Sequence, residues 1–278
     1  MKKLLLVICV ILCLPCLTSC VGSDKPVVAV SILPLANFVR NICGDTVEII
    51  TLIPSGASPE NYSPKPQTIA KAEDSLIYFA IGVPTEVANI LPRLNLDNIV
   101  HLEEAVDAKY PDLMLGDQRD PHIWLSIKRA KVMVDTICLQ MCKLLPINTD
   151  FYQQNAKEYL TKLDEVDKRL HSLLDNLIEK TFIVYHPAFA YLADDYGLTM
   201  LALEEDGKPA TLEKLTQKVD NAKKLNIKVI FYQEEIDSSQ AQTFADEIGG
   251  RAIKLSPLAE DYLANMVKLA EAIEDATK

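Results

Sequence analysis

Two histidines and two glutamates lie where short apolar runs end, and these four side chains are candidate metal ligands. His122 lies in D-P-H-I-W-L and His186 in F-I-V-Y-H-P-A-F. Glu60 follows a similar run in I-P-S-G-A-S-P-E, and Glu235 ends V-I-F-Y-Q-E-E. Imidazole nitrogens and carboxylate oxygens bind divalent cations, and open α/β folds bind ligands beyond the carboxyl ends of their strands. The placement predicts a divalent-metal site rather than covalent catalysis.

Glu234 and Glu235 are alternatives for one ligand position. Because successive side chains of a strand point to opposite faces, we expect one of the two to reach the site, and Glu235 is the preferred candidate. We expect His101, at a strand end, and His171, on the exposed side of a long helix, not to be ligands.

The residues around the two histidines carry further expectations. We expect Trp124 to pack beside the site and Tyr191 to be a core residue. Asp194 and Asp195 follow His186 in a helical pattern, and we expect both carboxylates to lie on the solvated side of that helix.

The N-terminus resembles an export and anchoring signal. Two lysines precede an apolar run that is shorter than the roughly 20 residues that a membrane span needs. This pattern predicts a signal peptide over residues 1–19, and L-T-S-C at its end resembles a bacterial lipobox. We therefore expect lipid on Cys20, a tether over residues 20–26 and an extracytoplasmic, membrane-anchored protein. The alternative is an ordinary cleaved signal with an incidental cysteine.

Charge and cysteine usage exclude other classes of protein. The formal net charge is −11 at pH 7, which argues against a nucleic-acid partner because such partners need a basic surface. Beyond residue 20 only Cys43, Cys138 and Cys142 remain, and an odd number gives no disulfide framework. Cys138 and Cys142 could form a zinc pair or a disulfide, but small buried apolar residues are the preferred interpretation.

Alternating strand and helix patterns predict two α/β lobes, each with a mostly parallel sheet flanked by helices. The N-terminal lobe is expected over residues 27–148 and the C-terminal lobe over residues 181–278. Residues 149–180 contain no glycine or proline and have apolar residues at helical spacing. About 30 helical residues span about 45 Å, which is typical of a rigid connector. We expect the metal site in the cleft between the lobes.

Four motifs and the long helix resemble the metal-binding solute-binding lipoproteins of bacterial ABC importers, the ZnuA/TroA-like family. The motifs are G-A-S-P-E-N-Y-S-P, D-P-H-I-W-L, H-P-A-F-A-Y-L-A-D-D-Y-G-L and I-F-Y-Q-E-E-I-D. The resemblance covers about residues 27–278. It implies a monomer that holds one cation between two lobes and delivers it to an ABC permease driven by an ATPase.

The ligand positions match this family unevenly. His122 and His186 match its second and third histidine ligands. Glu60 stands where the family usually has its first histidine, and Ser256 stands where it often has an aspartate, so Glu235 is the candidate replacement. A carboxylate oxygen binds zinc at about 2.0–2.2 Å and also suits manganese. The resemblance implies zinc as the preferred ion, with manganese or iron(II) as alternatives.

Two other classes of function remain open. Two histidines and a glutamate can form a catalytic zinc site in a metallohydrolase. The sequence lacks H-E-x-x-H, G-x-S-x-G and an obvious separate general base, so we expect no enzyme. A surface adhesin or interaction lipoprotein could use the same fold, because a fold does not determine function.

Overall fold

The computed structural model describes residues 25–204, 211–235 and 239–277 of the chain. The predicted signal peptide and Cys20 lie outside the described residues. Within these described ranges, no helix is both long and apolar enough to cross a membrane.

The N-terminal lobe contains a four-stranded parallel sheet in the order β2-β1-β3-β4. Its strands are β1 (Val27–Val30), β2 (Glu48–Thr51), β3 (Ile77–Ala80) and β4 (Ile99–His101). Its helices are α1 (Leu33–Cys43), α2 (Pro66–Glu73), α3 (Leu102–Asp107) and α4 (Ile127–Leu144). The β-branched and apolar residues of β1 and β3 are almost entirely buried, as is typical of parallel strands covered on both faces.

Two short segments of this lobe differ from a simple strand-and-helix alternation. A π-helical turn covers Glu86–Ile90. The polar segment before His122 contains an antiparallel hairpin of β5 (Met114–Leu115) and β6 (Gln118–Arg119). This hairpin leads directly into the D-P-H motif.

The C-terminal lobe repeats the architecture with a parallel sheet in the order β10-β9-β7-β8. Its strands are β7 (Thr181–Val184), β8 (Thr199–Ala202), β9 (Val229–Gln233) and β10 (Arg251–Leu255). Its helices are α6 (Ala190–Asp195), α7 (Leu212–Lys224), α8 (Ser239–Glu247) and α9 (Tyr262–Thr277). The predicted class of two parallel α/β lobes is confirmed.

One long helix, α5 (Thr149–Leu174), joins the lobes. It packs against α1 and α4 of the first lobe and against α9 of the second. The helix ends at Leu174, earlier than the predicted end at residue 180, and the backbone N–H of Asp175 donates to the carbonyl of His171 there. Asp175 and Asn176 favour this ending because aspartate and asparagine have low helix propensity.

The lobes share one continuous hydrophobic core that also includes α5. The rings of Phe38 and Tyr262 meet edge to face across the lobes, with centroids 4.8 Å apart. The Tyr262 hydroxyl donates to the carbonyl of Trp124 at 2.7 Å, and the Trp124 indole N–H donates to the carbonyl of Pro257 at 3.0 Å. These contacts fix the two lobes against each other beside the predicted site.

The three cysteines of the described residues are free thiols. Cys43 and Cys138 are buried, and Cys142 is half-buried. The Sγ atoms of Cys138 and Cys142 are 4.0 Å apart. Burial raises the pKa of the Cys138 thiol to about 12, so this thiol is neutral at physiological pH. The interpretation of these cysteines as packing residues agrees with that environment.

Candidate metal centre

Three of the candidate ligands lie beyond the carboxyl ends of parallel strands, whereas His122 follows the β5–β6 hairpin. Glu60 lies in the loop between β2 and α2, and His122 precedes a short 3₁₀ turn that leads into α4. His186 lies just after β7, and Glu235 just after β9. Because parallel strands present their carboxyl ends at one edge, each lobe brings its candidate side chains to the cleft.

Three of these side chains converge on one point. Glu60 Oε1 lies 3.6 Å from His122 Nε2 and 3.8 Å from His186 Nε2. The three ligand atoms all lie within 4.8 Å of one another. Donors at about 2.1 Å around one zinc ion in tetrahedral geometry are about 3.4 Å apart. The two distances from Glu60 Oε1 exceed this spacing by about 0.2 and 0.4 Å, so small shifts bring Glu60 and each histidine to the spacing of a shared cation.

The second nitrogen of each imidazole is held by a carboxylate that the sequence analysis did not single out. His122 Nδ1 lies 2.7 Å from Asp120 Oδ1, which also accepts from the His122 backbone N–H at 2.9 Å. His186 Nδ1 lies 2.7 Å from Glu204 Oε2. A carboxylate that accepts from Nδ1–H leaves the Nε2 lone pair free for a metal and fixes the ring orientation. Both histidines therefore have the environment of metal ligands.

The side chains line a partly open cavity with a volume of about 20 Å³, enough for one small ion or water molecule. His122 is 3 % exposed and His186 is 8 % exposed, while the Glu60 side chain is 32 % exposed. The two imidazoles therefore lie on the buried side of the cavity, and the Glu60 carboxylate lies on its more open side. It is lined by Ser58, Pro59, Glu60, His122, Trp124, His186, Ala188, Gln233, Glu235, Pro257 and Leu258.

Glu235 lines this cavity but is not one of the three converging ligands. Burial raises the pKa of the Glu235 carboxyl. Glu234 is exposed and lies outside the cavity lining, where it accepts from Lys254 Nζ at 3.2 Å and from Ser256 Oγ at 2.8 Å. Of the two alternative glutamates, Glu235 is therefore the one in the cavity.

Trp124 lies beside the candidate site, and His101 and His171 lie away from it. The Trp124 ring packs beside His122, with ring centroids 5.2 Å apart. His101 Nδ1 pairs with Glu103 at 2.9 Å, and His171 Nδ1 pairs with Asp175 at 3.0 Å. Neither His101 nor His171 lines the cavity.

The expectation that Asp194 and Asp195 are both solvated is wrong for Asp195. The Asp194 side chain is 49 % exposed, but that of Asp195 is only 6 % exposed. Asp195 accepts from Ser126 Oγ at 2.6 Å, from Lys128 Nζ at 2.6 Å and from Arg129 Nη1 at 3.3 Å. The physical reason is that the start of α4 in the first lobe covers this face of α6 in the second lobe.

Tyr191 is buried, as predicted, and its hydroxyl group also fixes the backbone next to the site. The hydroxyl donates to the carbonyl of Asp120 and accepts from the Leu113 N–H, both at 3.1 Å. The Arg129 guanidinium lies 4.4 Å from the centroid of the Tyr191 ring. The helix that follows His186 is thus bonded to the segment that precedes His122, which restrains the separation of the two ligands.

Comparisons with known proteins agree with this arrangement. The sequence model of a family described as the periplasmic zinc-uptake complex component A (ZnuA) matches residues 28–276. The high-affinity zinc uptake system protein ZnuA of Bacillus subtilis is 32 % identical over 258 residues, covering 84 % of this chain and 79 % of that protein. The zinc-binding lipoprotein AdcA of Streptococcus pneumoniae is 27 % identical over 308 residues. The match to AdcA covers 100 % of this chain but only 61 % of AdcA.

A solved structure shows the same fold. The crystal structure of a ZnuA deletion mutant with zinc bound has a TM-score of 0.85 and 32 % sequence identity. The match covers 92 % of this chain and 99 % of that chain. Since the family match extends over nearly all of the described residues, the chain belongs to the ZnuA family of periplasmic zinc-uptake components.

Proposed function

We propose that this protein captures a divalent metal ion outside the cytoplasm and delivers it to an ABC permease and its ATPase for import. Zinc is the preferred ion, ahead of manganese and iron(II). The observation that carries this proposal is the convergence of Glu60, His122 and His186 from two lobes. The relatives named above are described as zinc-uptake and zinc-binding proteins, which supports zinc as the cargo.

In the proposed site, Glu60, His122 and His186 bind the ion, and Glu235 is the fourth ligand. Two carboxylates and two neutral imidazoles neutralise a divalent cation, which favours a dehydrated ion in a buried cavity. Protons compete with the metal for both imidazoles, so affinity falls on acidification. Because burial already raises the pKa of Glu235, this carboxylate is neutralised at higher pH than an exposed glutamate.

Capture and release follow from the position of the ligands in two lobes. A bound ion links the lobes, since His122 belongs to the first and His186 to the second. The shared core and α5 resist a wide opening of the cleft. A displacement of about an ångström between the lobes is enough to lengthen metal–ligand bonds of about 2.1 Å. We therefore propose that the permease releases the ion through a small movement rather than through separation of the lobes.

We further propose that the protein is a monomer anchored by lipid on Cys20, with residues 20–26 as its tether after removal of residues 1–19. The proposed lobes cover residues 27–148 and 181–278, with the connecting segment at 149–180. No catalysis is proposed, because the family to which the chain belongs is a component of a zinc-uptake complex. Replacing Cys20 by serine should release the protein from the membrane fraction, and retention of that variant would contradict the anchor.

Competitive titration with zinc, manganese and iron(II) tests the proposed function. We expect the wild-type protein to bind one equivalent of zinc tightly, and His122→Ala and His186→Ala each to abolish tight binding. His171→Ala is the matched control, because it removes an imidazole that is paired with Asp175 away from the cavity. Unchanged zinc affinity in either cavity variant would remove the proposed site.

A further inference from the structure

Gln233, the last residue of β9, is a buried polar side chain in the cavity that has no place in the proposed ligand set. It is 3 % exposed and lines the cavity together with His122 and His186. Gln233 ends the strand, and Glu235, in the turn that follows, lines the same cavity. Glu234 lies between them and binds Lys254 and Ser256 at the surface.

The orientation of the Gln233 amide is set by its one hydrogen bond. Its Nε2 donates to the backbone carbonyl of His186 at 3.2 Å. A carbonyl oxygen only accepts hydrogen bonds, so the amide nitrogen must face His186 and the amide oxygen must point elsewhere. Gln233 Oε1 is buried and has no hydrogen-bond partner among the described residues.

An unpaired acceptor is energetically unfavourable in a protein interior, and most buried acceptors have a bonding partner. Glu60 Oε1 has the same property, being buried and without a hydrogen-bond donor among the residues that the structure describes. Both oxygen atoms belong to residues that line one small cavity. A cation in that cavity gives a partner to both oxygens at once.

We propose that Gln233 Oε1 is an additional, neutral oxygen donor to the bound cation, and that it widens the selectivity of the site toward manganese. The inference rests on the proposed metal-binding function. Amide and carboxylate oxygens are hard ligands that suit manganese, and manganese takes more ligands than the four that zinc usually takes. A neutral donor raises the coordination number without adding a further negative charge to the cavity.

Cobalt(II) loading and competitive metal titration of Gln233→Met test this proposal. Methionine has a similar length but offers no amide oxygen. We expect the visible d–d absorption of bound cobalt(II) to change in position and intensity, because its coordination number falls. We expect manganese affinity to fall about tenfold or more, with a smaller fall for zinc. Gln233→Glu, which keeps an oxygen at the same distance along the side chain, should restore manganese binding.

Gln240→Met is the matched control, because Gln240 Oε1 accepts from the Tyr185 hydroxyl and does not line the cavity. The control should keep the wild-type spectrum and metal preference. If Gln233→Met does not fold, Gln233→Asn carries the same expectation, since its oxygen is withdrawn by one carbon. Wild-type spectra and wild-type manganese-to-zinc ratios in the folded Gln233 variant would overturn the inference, whereas absence of metal binding by the wild-type protein would overturn the proposed function itself.

Discussion

His122 and His186 have the same hydrogen-bonding pattern, but the chain builds the two environments differently. Asp120 holds His122 from two residues away within one turn, through both the ring and the backbone N–H. Glu204 holds His186 from 18 residues away, beyond the end of β8. The Asp120 side chain is fully buried, while that of Glu204 is 13 % exposed. The first ligand is therefore oriented by local sequence, and the second by packing of the sheet.

Neutralising Asp120 or Glu204 should give the largest difference in zinc affinity between the His122 side and the His186 side of the site. Asp120→Asn and Glu204→Gln should each weaken zinc binding by about 10–100-fold. We expect the greater loss for Asp120→Asn, because that carboxylate orients both the ring and the backbone of His122. Competitive zinc titration measures both losses.

Glu103→Gln is the matched control for these variants, because Glu103 bonds to His101 away from the cavity. Equal losses of zinc affinity in Asp120→Asn and Glu204→Gln would show that His122, held by a nearby residue, and His186, held by a distant one, depend equally on their carboxylates.

Glu60 lies between the two histidines, and changing its ligand type tests whether it contacts the ion. In Glu60→His an imidazole replaces a harder oxygen donor, so the preference for zinc over manganese should rise. We expect a rise of about tenfold, or about 1.4 kcal/mol, from competitive titration with the two metals. An unchanged ratio would place Glu60 outside the coordination sphere.

We expect the smallest effect on metal binding from breaking the contacts between α4 and α6, which join the two lobes away from the ion. Asp195→Asn weakens the pairing of the buried Arg129 with α6, and we expect a loss of about 1–3 kcal/mol in the free energy of unfolding. Zinc affinity should fall only a few-fold. Asp194→Asn is the matched control, since that carboxylate is half-exposed. Equal stability of the two variants by thermal unfolding would contradict the interlobe role of Asp195.

The sequence predicted much of the architecture that positions the site, because its signals are local. Strand ends and the motifs around Glu60, His122 and His186 indicated the three side chains that the structure brings together. That these side chains bind a metal stays a prediction. Asp120 belongs to the D-P-H motif itself. Glu204 lies two residues beyond the end of β8, so a search for polar side chains just past strand ends would also have indicated Glu204.

Features that depend on contacts between distant segments were not predicted. A helical pattern shows which face Asp195 occupies on its own helix, but not that α4 of the other lobe covers that face. Gln233 Oε1 lacks a hydrogen-bond partner because the amide nitrogen faces the carbonyl of His186, just after the neighbouring strand β7. Sequence spacing contains no information about either contact, since both arise only when strands and lobes pack.

The proposed function depends on the binding of one divalent cation where the two lobes bring Glu60, His122 and His186 together. Anomalous diffraction at the zinc absorption edge from crystals of the zinc-loaded protein tests it most directly. We expect one strong peak in the interlobe cavity, at about 2.0–2.2 Å from Glu60 Oε1, His122 Nε2 and His186 Nε2. A zinc peak only outside this cavity, or no ordered zinc in it, would show that these three residues do not form the metal site.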